Sequence, residues 1–223
     1  MSISRIGRFL ATSISLIFFT IFLILYYSPK IIILLALALS LYSLFLTSIV
    51  IVVLSEDWRK FNYEDLTTIA IFSSLLYTSN FFSMLIPSFI FYVVPFAAGL
   101  TFYFPASILY GIFKKICRKK GSSFLLLVAY GFISMFFSPA IFWFPYFLGW
   151  GSMLEIIGGD DCLCGIMFGL AGAGLAVDYM LVAWGYYRPI FIAIPAIIGD
   201  SLITLLGYKI GGKIGEELLG IIH

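Results

Sequence analysis

The chain of 223 residues is 62% hydrophobic and only 11% charged, whereas a soluble domain is about 45–50% apolar and about 25% charged. This composition predicts a polytopic membrane protein for which lipid is the main solvent. No basic surface with interleaved aromatic residues suggests nucleic acid, and the three cysteines show no disulfide framework or zinc spacing. The one histidine is the last residue, which excludes a His-based metal site or catalytic triad.

Eight apolar segments follow one another along the chain, each near the length of about 20 residues that crosses a bilayer as a helix. They are 9–27, 31–54, 66–83, a fourth that ends near residue 113, 122–138, 140–157, 163–184 and 189–208. We interpret the first as a retained helix rather than a signal peptide, because its apolar core is long and no small-residue cleavage site follows it.

The segments predict an all-α membrane protein of about eight transmembrane helices. Residues 1–54 are expected to form an N-terminal transmembrane hairpin, and the polar residues 55–65 a cytoplasmic linker. Residues 66–215 are expected to form a six-helix membrane domain, and residues 216–223 a cytoplasmic tail.

The basic residues predict the orientation of this arrangement. If both termini are cytoplasmic, all but two of the 13 basic residues lie on the cytoplasmic side, as the positive-inside rule expects. The exceptions are Lys30 and Arg188, and the densest basic group is KKICRKK at 114–120. The expected location is therefore the cell membrane, with several passes and both termini in the cytoplasm.

Small residues recur four positions apart on the last two segments, which predicts helix faces that other helices approach closely. These residues are Gly165, Gly169 and Ala173 on the seventh segment and Gly207, Gly211 and Gly215 on the eighth.

Three acids lie in or near apolar segments: Glu155, Asp178 and Asp200. Each could be hydrogen-bonded between helices or placed near a helix end. Asp178 and Asp200 lie deeper in their segments than Glu155, and intramembrane carboxylates usually line a cavity or an ion path. A functional role is therefore the stronger reading for Asp178 and Asp200.

Aromatic residues accompany these acids. Trp143, Tyr146 and Trp150 share one helical face by their spacing, whereas Glu155 lies off that face. Trp184 and Tyr186, with Tyr187, follow at the outer end of the seventh segment. They either belong to the aromatic belts of membrane interfaces or form an aromatic box for a flat or cationic ligand.

From residue 62 onward the chain resembles the substrate-capture (S) components of energy-coupling factor (ECF) transporters. NYEDLTTIAIFSSLLYTSNFF, with Ala70 and Ser74 four positions apart, resembles their first helix. The resemblance to the thiamine/hydroxymethylpyrimidine group continues, in chain order, through RKKGSSFLLLVAYGFISMFFSP, GWGSMLEII, AVDYMLVAWGYY and IPAIIGDSLITLLGYKIGGKIG. The chain departs from that group in its N-terminal hairpin and in Asp200, where the group usually has a small neutral residue.

The resemblance implies a subunit that captures a vitamin, such as thiamine or a thiamine precursor, outside the membrane. Its partners would be a transmembrane coupling subunit, docked on Ala70 and Ser74, and two ATPase subunits, and it would need no cofactor. Aromatic rings would stack on the flat cation and carboxylates would accept its charge. The candidate substrate-binding residues are Trp143, Tyr146, Trp150, Glu155, Asp178, Trp184, Tyr186 and Asp200.

Two other classes of protein stay open. One is a non-transporting membrane scaffold that assembles through its glycine faces. The other is an independent carrier or channel in which Asp178 and Asp200 relay protons or cations. An enzyme is not expected, because the sequence shows no paired histidines, acidic metal cluster or nucleophile–base set.

Overall fold

The computed structural model of the chain describes residues 5–27, 32–54, 57–84, 99–137, 144–157, 161–184, 187 and 189–222. Within these ranges all regular structure is helical, which confirms the predicted fold class in its coarse form. The α-helices are α1 (Arg5–Tyr26), α2 (Ile32–Val53), α3 (Tyr63–Met84), α4 (Phe104–Ile116), α5 (Ser122–Phe137), α6 (Phe144–Ile157), α7 (Asp161–Trp184) and α8 (Ile190–Ile222).

Three helical stretches are long and apolar enough to cross a membrane: Ile32–Val53, Cys162–Val182 and Phe191–Ile221. The stretches Thr12–Tyr26 and Ser122–Phe136 are apolar but shorter. The structure therefore supports a membrane protein, and the count of eight spans stays a prediction.

Local sequence explains where several helices begin. At α3 the backbone N–H of Asn62 donates to Asp65 Oδ2 at 2.8 Å, and the N–H of Asp65 donates to Asn62 Oδ1 at 2.9 Å. This reciprocal pair satisfies two N–H groups that the first turn leaves without helical partners. Pro145 lies in the first turn of α6, where a missing N–H costs no helical hydrogen bond.

The helices α3 to α8 form a closed ring by their contacts. Around the ring, α4 packs on α3, α3 on α5, α5 on α6, α6 on α7, α7 on α8, and α8 back on α4. The N-terminal pair lies against one side of this ring, because α2 packs on both α6 and α7 and α1 packs on α2. The α6 and α7 side of the ring is therefore covered by the hairpin of α1 and α2.

The predicted glycine faces are confirmed, and both are used inside the chain. A Cβ on Gly211 would collide with the backbone oxygen of Ile108 on α4, so α8 and α4 are in backbone contact there. A Cβ on Gly165 would lie 3.1 Å from the Cα of Leu205, where α7 meets α8. Small residues let these helices approach, and the closer packing supplies the van der Waals contacts that hold helices together in lipid.

The centre of the ring is packed with aromatic side chains. The ring of Tyr110 stacks on Phe168 with 4.7 Å between centroids, and Trp150 packs on the same Phe168 at 4.8 Å. All three side chains are buried. Large apolar side chains on the outside of the bundle are exposed instead, among them Leu16, Ile33, Leu41, Phe191 and Leu202. This pattern suits a protein surrounded by lipid.

The last helix is longer than its apolar segment predicts. It continues without a break to Ile222, so most of the predicted tail is helical. Lys115 of α4 pairs with Glu216 of this extension at 2.8 Å. A helix of 33 residues is about 50 Å long, which exceeds the hydrocarbon thickness of about 30 Å. Its C-terminal part therefore either extends past a bilayer or requires tilt.

Candidate functional site at the end of α1 and α7

Asp178 is a carboxylate in the last third of α7 and is only 7% exposed. The direction of the Asp178 side chain follows from helix geometry, since successive residues are rotated by about 100° around the helix axis. Gly169, which packs against Thr204 of α8, lies nine residues earlier and therefore about half a turn away around the helix. Asp178 thus faces away from α8, toward the side of α7 that the N-terminal hairpin covers.

No hydrogen-bond donor or cation contacts the Asp178 carboxylate among the residues that the structure describes. Arg188, which the sequence offers as a nearby cation, lies outside them. A charged carboxylate away from water is unfavourable without a compensating donor or cation. Within the described part of the chain, no group therefore pairs with Asp178.

Three tyrosines lie at the same end of the bundle. Tyr26, in the last turn of α1, stacks on Tyr187 with centroids 5.3 Å apart and planes at 22°. Tyr27 meets the ring of Tyr187 edge-on at 5.7 Å and that of Tyr26 at 5.0 Å. Tyr27 is also within electrostatic range of Asp178. We call Tyr26, Tyr27 and Tyr187 the tyrosine cluster.

The tyrosine cluster was not among the substrate-binding residues predicted from the sequence. Tyr187 could be recognised as an interfacial aromatic after α7, but Tyr26 and Tyr27 belong to a segment about 160 residues earlier. Only the packing of α1 and α2 against α6 and α7 brings them together. No local signal in the sequence indicates that contact.

Asp200 lies in the packed contact between α8 and the start of α4. It is buried, and a Cβ on Gly99, in the π-helical turn Gly99–Tyr103, would collide with its carboxylate. Its backbone oxygen lies 2.8 Å from the position of a Cβ on Gly169. Asp200 is therefore held where α4, α7 and α8 meet, on the opposite side of α7 from Asp178.

Glu155 lies at the other end of the bundle, in the last turn of α6. Its Oε1 atom accepts a hydrogen bond from the backbone N–H of Gly121 at 2.8 Å. Gly121 belongs to the turn between α4 and α5 that contains the basic residues. The structure therefore does not bring Glu155 together with Asp178, as the helical spacing from Trp150 already indicated.

The basic end of the bundle, around the turn that contains Gly121, holds a network of polar contacts. Lys119 donates to the carbonyl of Lys60 at 2.7 Å and pairs with the carboxylate of Asp65. Burial alone would raise the pKa of Asp65, but the hydrogen bonds from Lys119 and Asn62 hold it below its usual range. These contacts connect the segment before α3 to the turn before α5.

Tyr146 and Trp150 lie together on α6, with ring centroids 5.5 Å apart, as their spacing predicted. The polar atom of each side chain donates a hydrogen bond to the backbone of α7. The Tyr146 hydroxyl donates to the carbonyl of Gly172 at 3.1 Å, and the Trp150 indole N–H donates to that of Phe168 at 3.0 Å. Trp150 is 1% exposed, so its ring faces are occupied by neighbouring side chains.

Gly172 explains the position of Trp150. A Cβ there would lie 2.8 Å from Cζ2 of Trp150 and 2.9 Å from Cε1 of Tyr103. The small residues before Asp178 in the sequence therefore accommodate the indole of α6. In this structure the space they leave is filled by the protein itself.

The remaining predicted site residues differ in their placement. Trp143 and Tyr186 lie outside the described residues, and for Trp184 only the helical backbone is described. Ala70 and Ser74 lie on the exposed side of α3. The Ser74 hydroxyl donates to the carbonyl of Ala70 at 2.9 Å, which satisfies it without another helix.

Comparison of the chain with family models, with curated proteins and with solved structures finds no match. The resemblance to S components therefore stays a prediction from the sequence.

Proposed function

We propose that the chain is a membrane-embedded substrate-capture subunit of an ECF-type vitamin uptake transporter. Its substrate would be thiamine, a thiamine precursor or a similar flat cationic molecule. Its partners would be a transmembrane coupling subunit and ATPase subunits. It would lie in the cell membrane with several passes, the basic end and both termini facing the cytoplasm.

The observation that carries the proposal is the buried carboxylate of Asp178 on the hairpin-facing side of α7, in the half of that helix nearer the tyrosine cluster. Asp178 has no donor or cation partner among the described residues, and Tyr187 extends the cluster to the surface with 47% of its area exposed. A cationic ligand that entered at this end would pair with the Asp178 carboxylate and would contact the exposed ring of Tyr187. The orientation supported by the basic residues makes this end the outer one.

The packing weakens one competing reading. A scaffold that assembles through its glycine faces needs those faces to be open to a partner. Gly165 and Gly169 are occupied by α8, and Gly207, Gly211 and Gly215 by α4. An independent carrier remains a second candidate, because a buried acid such as Asp178 could also take up and release a proton during transport.

Mass spectrometry of small molecules retained by the gently purified protein tests the proposal. We expect one cationic vitamin or precursor near one molecule per chain, and we expect Asp178→Asn to lose it while folding normally. Uptake into liposomes separates the candidates. A capture subunit accumulates substrate only with its coupling and ATPase partners, whereas uptake by the chain alone, driven by an ion gradient, would establish a carrier.

A further inference from the structure

The hairpin of α1 and α2 is a fixed part of the fold. The hydroxyls of Thr47 on α2 and Ser152 on α6 are hydrogen-bonded at 3.3 Å, and those of Ser43 and Tyr179 lie 3.5 Å apart. A Cβ on Gly149 of α6 would lie 2.7 Å from Ser43 Oγ, so α2 and α6 are closely packed. Interhelical contacts of this kind stabilise helix association in lipid.

The end of α1 packs near the end of α7. Tyr26 is buried and stacks on Tyr187, and Tyr27 meets the edges of both rings. Tyr187 follows α7 directly and is partly open to the surroundings. The three rings therefore form a continuous aromatic surface from the interior of the bundle to its outer boundary, and two of the rings come from the hairpin.

The Asp178 carboxylate is buried on the side of α7 that faces the hairpin. Its helical position directs it toward the hairpin, and Tyr27 is within electrostatic range of it. A carboxylate together with several aromatic rings is the combination that recognises an organic ammonium group, since charge and ring faces both attract the cation. Among the described residues no three metal-ligating side chains form a group that would suit a metal ion instead.

We infer that the N-terminal hairpin completes the ligand site, and that the tyrosine cluster with Asp178 holds the positively charged nitrogen of an organic cation. This inference rests on the proposed function and assigns the hairpin a role in that same site. It identifies Tyr27 as a binding residue that lies outside the six-helix ring. The ligand class is an amine or quaternary nitrogen compound rather than a neutral or anionic vitamin.

Titration calorimetry of the full-length chain with thiamine tests the role of the hairpin. We expect Tyr27→Leu and Tyr187→Leu each to weaken thiamine binding about 3- to 30-fold, the factor that a lost cation–π contact produces. Tyr27→Phe keeps the ring and should bind within about twofold of the wild type. Tyr63→Leu, at a residue of α3 that is 83% exposed, is the control for a general effect of losing a tyrosine.

A matched pair of probes tests the charge independently of the natural substrate. Choline and 3,3-dimethylbutan-1-ol have the same shape, and only choline is charged. We expect the wild-type chain to bind choline more tightly than its neutral counterpart, and Asp178→Asn to remove the difference. Each variant is first compared with the wild type by size-exclusion chromatography, and Tyr187→Leu keeps the test valid if a more buried substitution unfolds.

The outcomes separate this inference from the proposed function. If Asp178→Asn abolishes thiamine binding but Tyr27→Leu and Tyr187→Leu bind like the wild type, the hairpin plays no part and the capture function stands. If the wild type binds neither thiamine nor choline, or binds choline and its neutral counterpart equally, the ammonium site is wrong. Vitamin uptake with the coupling and ATPase partners would still support the proposed function in that case.

Discussion

The carboxylate of Glu155 accepts a hydrogen bond from the backbone N–H of Gly121 at 2.8 Å. Gly121 has a φ of 87°, in the left-handed region that favours glycine. The bond fastens the last turn of α6 to the turn between α4 and α5. Glu155 therefore holds together the basic end of the bundle, far from the tyrosine cluster.

Removing this bond should cost stability and leave ligand binding unchanged. Glu155→Ala is expected to lower the free energy of unfolding by about 1.5–3 kcal/mol, the range for hydrogen bonds to charged groups. Glu155→Gln keeps an acceptor oxygen and should cost less. Thermal unfolding in detergent and thiamine titration on the same samples give both quantities. If the Glu155→Ala variant kept wild-type stability but bound thiamine more weakly, Glu155 would be a substrate-binding residue instead.

The contact between α4 and α8 makes a second prediction. At Gly211 a Cβ would collide with the backbone oxygen of Ile108, whereas at Gly220 nothing lies within 4 Å of it. Gly211→Ala should therefore lower stability by about 1–3 kcal/mol through overpacking. Gly220→Ala should leave stability unchanged or raise it slightly, because alanine favours the helix. Equal effects of the two substitutions on the unfolding midpoint would show that the close packing is incorrect.

Helix positions and the residues that share a helix face are predicted well from the sequence, because both depend on local sequence pattern. Apolar segment lengths indicate where the described helices lie, because a helix in lipid must satisfy its own backbone groups. The spacing of Gly165 and Gly169 predicts a close contact, and the spacing of Glu155 from Trp150 separates the acid from the aromatic face. Both spacings follow from the helical period of about 3.6 residues.

The sequence does not predict which long-range neighbours each face meets. Several helices are apolar on all sides, so no polar stripe indicates that α2 packs on α6 and α7. The contact of Tyr26 with Tyr187 depends on that packing, and so does the side of α7 that Asp178 faces. Trp150 has the pattern of a stacking residue, yet its ring is enclosed by Phe168, Tyr103 and Tyr146.

The exposure of the cysteines makes the topology testable. Cys162, at the start of α7, is exposed, whereas Cys117 and Cys164 are buried. If the basic end is cytoplasmic, an impermeant maleimide should label no cysteine in intact cells and Cys162 alone in inside-out vesicles. Tyr187→Cys in a Cys162→Ser background should be labelled in intact cells. Labelling of Cys162 from outside would contradict the eight-span arrangement.

The last prediction is that the coupling subunit docks on the exposed side of α3. Thr67, Ala70, Ser74 and Thr78 are exposed, and the three hydroxyls donate to the carbonyls four residues earlier. A second helix could therefore approach this face without leaving a polar group unsatisfied, and leucine side chains would hold it away.

We expect Ala70→Leu with Ser74→Leu to abolish co-purification with the coupling subunit and to leave thiamine binding by the isolated chain intact. Ser48→Leu on α2 is the matched control, since Ser48 is also exposed and its hydroxyl donates to the carbonyl of Leu44 at 2.8 Å. Ser48→Leu makes the same substitution as Ser74→Leu at an exposed helical serine, so a general effect of that substitution would appear in both variants. If the double variant co-purifies with the coupling subunit as well as the Ser48→Leu variant does, the docking surface lies on another helix.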